Sequence, residues 1–258
     1  MLRAHALALA LVVAAAAAPA APAGEPQDLL PDLVQRAPFK LGVQTGDFGA
    51  RLVFGSAVDN AGAGPLVVDG SRTSRKEPEM RADQVIFRSD GSTRVVEGVG
   101  ALRFVVSPDH RHWHFVGFDR FELRRAHNFK LVLRDRKTGF CLGDRYAVDP
   151  AAHLTPVYAR IRCGPEGTGL LRVREGISTG FGDDYKPELE GQYLDITGLP
   201  AGRYDLTHRA NADRAVLESD YSNNAASVLF RLDWDGAVPR IKVLNVCPGA
   251  ERCQAPPG

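Results

Sequence analysis

Three of the chain's seven histidines, His110, His112 and His114, occupy alternate positions in the segment SPDHRHWHFVGFDRFEL. On a β-strand alternate side chains share a face, so the three imidazoles point one way while Arg111 and Trp113 point the other, as packing residues. Residues two apart on a strand lie about 6.6 Å from each other along its axis. Imidazoles on them can lean onto one ion through bonds of about 2.0 Å. His110 and His114 are twice as far apart, so a bend or bulge at Pro108–Asp109 is expected to swing His110 inward. Neutral imidazole suits copper, zinc, iron and nickel, and no neighbouring thiolate selects a softer metal. Nitrogen ligands in a plane, completed by water, suit copper(II); on these residues alone zinc fits equally. Glu122 and Asp119, just downstream, are candidates to orient an imidazole through its second N–H.

Such a segment has to be held by a sheet, and the rest of the chain supplies one. Short runs rich in β-branched and aromatic residues, such as RLVFGSAVDN, DQVIFR, FKLVLR, YDLTHRA and ASVLFRLDWDG, are closed by Asp-Gly and Pro-Ala-Gly turns. No long segment keeps a helical period. The expected fold is therefore all-β, an antiparallel β-sandwich with long irregular loops at residues 70–85 and 145–190. Glu218, Asp220, Asn223 and Asn224 cluster oxygen ligands in one acidic loop. The architectural reading of that loop stands beside a calcium site, although the spacing of an EF-hand is missing.

The first 23 residues carry Arg3, an apolar alanine-rich run and small residues ending Ala21-Pro22-Ala23. They read as a secretory signal peptide, which leaves residues 24–258 as a single domain, secreted or held in the cell envelope, with no membrane span in the mature chain. Without Arg3 the 32 basic and 31 acidic side chains balance. With no basic stripe, nucleic acid is excluded as a partner. The four cysteines of an exported chain fall into two local pairs, Cys141 with Cys163 and Cys247 with Cys253.

Taken in order, HRHWHF…FDRFEL, RKTGFCLGD, GISTGFGDDYKPELEGQYLDITGLPAGRYDL and ESDYSNNAA resemble the catalytic domain of the lysyl oxidase family. Upstream, LLPDLV and RLVFGSAVDNAGAGPL match the way that domain begins, so the resemblance covers roughly residues 29–235. It implies copper at His110, His112 and His114. It also implies an organic cofactor, lysine tyrosylquinone, made from Lys137 and Tyr185, the positions that match the family's lysine and tyrosine. Animal members have more cysteines and extra N-terminal regions, so a collagen or elastin substrate does not carry over. Tyr193 stands where the family commonly has tryptophan, and the Ala/Arg-rich leader suggests a bacterial secreted homologue.

The activity implied is oxidation of peptidyl lysine or another primary amine by dioxygen, with hydrogen peroxide and ammonia released. No side chain supplies the electrophilic carbonyl this needs, hence the built-in cofactor. Asp183 or Asp184, beside Tyr185, is the candidate base for the α-proton, because partial burial raises a carboxylate toward neutral pKa. The contrasting expectation is an exported copper- or zinc-binding β-sandwich without redox turnover.

Overall fold

The computed structural model describes residues 24–107, 111–135, 139–158, 163–164, 167–189 and 191–255. The expected leader, His110 and Lys137 lie outside them. Strands β1 (Asp28–Leu29), β2 (Leu33–Gln35), β3 (Phe39–Gly46), β4 (Gly49–Asn60), β5 (Leu66–Ser71) and β6 (Glu79–Arg88) open the chain. Next come β7 (Thr93–Val106), β8 (Arg111–Phe115), β9 (Asp119–Arg125), β10 (Leu131–Arg134) and β11 (Tyr146–Ala147). A 3-10 turn, Pro150–Ala152, lies between these and β12 (Arg172–Ile177), β13 (Phe181–Tyr185) and β14 (Tyr193–Asp195). The chain closes with β15 (Gly202–Ala210), β16 (Ala225–Asp235) and β17 (Val238–Cys247). Among the described residues no helix is long and apolar enough to cross a membrane.

The all-β, antiparallel expectation holds, with the strands distributed over three sheets. One runs β12-β5-β6-β7-β8, with β1 also on β6; the second runs β10-β9-β15-β16-β17; the third runs β11-β13-β4-β14, with β2 and β3 also on β4. Strand β4 is buried along nearly its whole length, as its continuous run LVFGSAV requires of a strand covered on both faces. The shared core is aromatic at its centre: Phe54 meets Phe121 edge-on at 5.1 Å, and Phe121 in turn meets Phe140 at 6.0 Å. His208, fully buried on β15, packs against Phe121 with ring centroids 4.1 Å apart and planes tilted by 35°.

The two stretches expected as loops are in part strands. Residues 79–88 form β6, and β12 and β13 cross the 145–190 region. Both later strands place a carboxylate at an inward slot, Glu175 in RVREGI and Asp183 in FGDDY, each no more than 3% exposed. A buried acid breaks the apolar alternation by which a strand is read. Both expected disulfides are formed, Cys141–Cys163 with Cα atoms 5.8 Å apart and Cys247–Cys253 with 5.4 Å.

Candidate functional site

The histidine segment is the edge strand β8, paired with β7 in a register that sets His112 opposite Val105 and His114 opposite Arg103. Trp113 and Phe115 face the core and are essentially unexposed, whereas Arg111 at the start of the strand is exposed. Arg72 lies over the indole of Trp113 at 4.8 Å. The imidazoles of His112 and His114 stand side by side with ring centroids 4.8 Å apart and planes inclined by 43°. His114 is 1% exposed and His112 half-buried. Two nitrogen donors at this spacing fit adjacent positions around one copper or zinc ion. Among the described residues no group of three His, Cys, Asp or Glu side chains is close enough to hold a metal. The third expected ligand, His110, and the expected bend at Pro108–Asp109 lie outside those residues.

A short segment docks against the free edge of β8 and joins it to Tyr185. Phe115 and Phe140 exchange backbone hydrogen bonds of 2.8 and 3.1 Å, and Trp113 N–H donates to the Cys163 carbonyl at 2.8 Å. The chain approaches so closely at Gly139, where φ is +132°, that a Cβ there would strike the Phe115 carbonyl. The Cys141–Cys163 disulfide therefore ties together two stretches that both bond to the histidine strand. Phe140 then meets the ring of Tyr185 edge-on at 4.6 Å, and the Tyr185 hydroxyl donates to the Cys141 carbonyl at 3.0 Å.

Tyr185 ends β13 and is 4% exposed. Asp183 shares its face of the strand, two residues earlier, and is 3% exposed; Asp184 turns the other way and is half-buried. Arg145 donates from Nε to Asp183 Oδ1 at 2.9 Å and from Nη2 to the Cys141 carbonyl at 2.9 Å. Its guanidinium is also near enough to interact with the Tyr185 phenol. Glu175, on β12, is wholly buried beside them, its Oε2 accepting from Leu142 N–H at 3.1 Å. Burial pushes Asp183 up to about 7, against the opposing pull of Arg145. Burial likewise lifts Glu175 well above the ordinary carboxylate range; the Leu142 N–H counteracts this and the nearby Asp183 adds to it. Burial, reinforced by the Asp183 charge, raises the Tyr185 phenol well above its ordinary value.

Two other carboxylates singled out in the sequence have defined partners. Among the described residues Glu122 is held by Arg124 and Arg134, which take its two oxygens at 2.6 and 2.7 Å because β9 and β10 bring both guanidiniums over it. The acidic loop is architectural. Glu218 Oε1 accepts from Asn211 and Asn224 side-chain amides, both at 2.6 Å, and Oε2 accepts from Leu33 N–H at 3.0 Å. Its oxygens are thus occupied by N–H donors. Asp220 closes a turn onto Ser222 N–H, and Asn223 donates to Asp32. Arg145 and Glu175 had no place among the residues read from sequence. The available signal was Glu175 itself, at an inward slot of an alternating segment.

An antiparallel β protein with paired imidazoles on one edge strand, joined through a disulfide-anchored segment to a buried tyrosine, defines the class. The family model described as Lysyl oxidase matches residues 93–245, more than half of the chain. The chain belongs to the lysyl oxidase family. Lysyl oxidase homolog 2 of Gallus gallus is 31% identical over 125 residues, 48% of this chain and 14% of that protein. Protein-lysine 6-oxidase of Gallus gallus is 32% identical over 116 residues, 45% of this chain and 24% of the relative. The protein-lysine 6-oxidase of Sus scrofa is 32% identical over 123 residues, 47% of this chain and 44% of the relative. The matched stretch thus spans less than half the length of each of these relatives.

Proposed function

We propose that this chain is a secreted copper- and quinone-dependent amine oxidase of a single domain, residues 24–258, behind a cleaved leader. It converts peptidyl lysine or another primary amine, with dioxygen and water, to the aldehyde, hydrogen peroxide and ammonia. The observation that carries the reading is the linkage of the His112–His114 pair to Tyr185 through residues 139–141, a stretch that begins two residues after Lys137 in the sequence. His110, His112 and His114 would hold the copper, and Lys137 and Tyr185 would form lysine tyrosylquinone. That cofactor supplies the electrophilic carbonyl and electron sink that ordinary side chains lack. Asp183 is the proposed proton acceptor, since a carboxylate pushed up to about 7 matches a base working near neutral pH. Arg145 holds it in place, and Phe140, itself backed by Phe118 and Phe121, packs edge-on against the buried Tyr185 ring.

The test is intact mass and visible absorbance of protein made with copper and oxygen, alongside Tyr185→Phe and Lys137→Ala. A quinone band and small mass change, lost in both variants and accompanied by amine-dependent peroxide, is the expected result. An unmodified mass with stoichiometric metal sinks it and favours an exported copper- or zinc-binding protein without turnover.

A further inference from the structure

Arg145 and Glu175 sit against Tyr185, yet neither is a metal ligand nor part of the expected cofactor. The Cys141 carbonyl receives two donors, the Tyr185 hydroxyl at 3.0 Å and Arg145 Nη2 at 2.9 Å, which fills both of its lone pairs. Its position is set on one side by the disulfide to Cys163 and on the other by the Phe140–Phe115 backbone pair. The phenol proton therefore points to a fixed acceptor, and the Arg145 guanidinium is close enough to interact with the phenol. The Arg145 side chain is 9% exposed and the Asp183 side chain 3%. In so dry a site a bidentate-capable, always-charged guanidinium holds two acceptors at fixed angles, which an ammonium does not.

The charge balance points the same way. Among the described residues one guanidinium lies among two carboxylates and a phenol, and it is bonded to Asp183, not to Glu175. Among the described residues no cation is bonded to Glu175, whose Oε2 accepts from Leu142 N–H, and burial favours its neutral form.

We propose that Arg145 is the positioning residue for Tyr185: by gripping Asp183 and the Cys141 carbonyl together it fixes the orientation of the phenol that is converted into the quinone. The proposal rests on the copper- and quinone-dependent reading. Arg145→Lys and Arg145→Gln are made with copper and oxygen and compared with wild type for copper content, thermal unfolding and quinone fraction by mass. In parallel, the ultraviolet band of Tyr185 is isolated in metal-free protein by subtracting the spectrum of the matching Tyr185→Phe chain. Folded variants with full copper, a quinone fraction at least tenfold lower and a displaced Tyr185 band are expected, with Lys failing to rescue.

An unchanged quinone fraction and an unchanged band in folded protein overturn the proposal. So does faster or fuller conversion, which makes Arg145 a restraint. Should both single variants fail to fold, Arg145→Gln combined with Asp183→Asn removes both charges and answers by the same two readouts. If wild type forms no quinone, the functional reading fails, and the metal-free Tyr185 band alone decides whether Arg145 orients the phenol.

Discussion

Replacing Asp183 by asparagine is expected to make the molecule more stable at pH 8, because a carboxylate is buried here at a cost that its partner only partly offsets. The ordinary value is 3.8 and the folded value about 7, with burial the dominant cause. Between those limits the unfolded chain has released its proton and the folded chain has kept it. The stabilisation is fully present below about pH 4 and lost as pH rises through about 7. Roughly three units at about 1.4 kcal/mol each put the loss at about 4 kcal/mol. Asparagine imitates the protonated side chain, so the two proteins should agree within about 1 kcal/mol at pH 4, and the variant should lead by about 3–5 kcal/mol at pH 8. Among the described residues the titratable and charged groups that act on Asp183 are Arg145, Glu175, Tyr185 and, from the opposite face of the strand, Asp184. Subtracting the variant from wild type cancels titrations elsewhere. Urea unfolding followed by tryptophan fluorescence across pH 4–8 measures the difference, Trp113 being fully buried. A wild type more stable than the variant at pH 8 would falsify the reasoning, since the Arg145 pair would then outweigh burial.

Two scaffold predictions accompany it. Glu218→Ala strands three buried donors, from Leu33, Asn211 and Asn224; at about 1–3 kcal/mol each, less any relaxation, unfolding should be easier by about 3–6 kcal/mol. Added calcium should leave the wild-type melting temperature unmoved, and a calcium-dependent rise would restore the metal reading of that loop. Replacing Cys141 and Cys163 together by alanine opens a loop with a sequence separation of 22, worth about 3 kcal/mol of chain entropy. Near-UV circular dichroism should change as well, because the Cys141 and Cys163 carbonyls hold Tyr185 and Trp113.

The strands were legible where apolar and polar residues alternate, as in β8, whose RHWHF run set two histidines on one face and Trp113 on the other as expected. The disulfides were legible because each pair is local in sequence. Strands β12 and β13 were missed for the physical reason that makes them interesting: their inward slots hold Glu175 and Asp183, and a pattern reader takes an acid for a solvent-facing residue. Arg145 left no pattern at all, since an arginine in a connecting segment looks solvated until the fold buries it against Asp183.

Burial of a carboxylate does not by itself separate a working site from scaffold. Glu122 and Glu218 are each 4% exposed, yet Glu122 is matched by two guanidiniums and Glu218 by three N–H donors, so both act as fixed bolts. Glu175 and Asp183 share one guanidinium between them. Among the described residues this dry cluster holds more acids than cations, which favours a retained proton, and a proton held beside the phenol of Tyr185 is one the proposed chemistry can use.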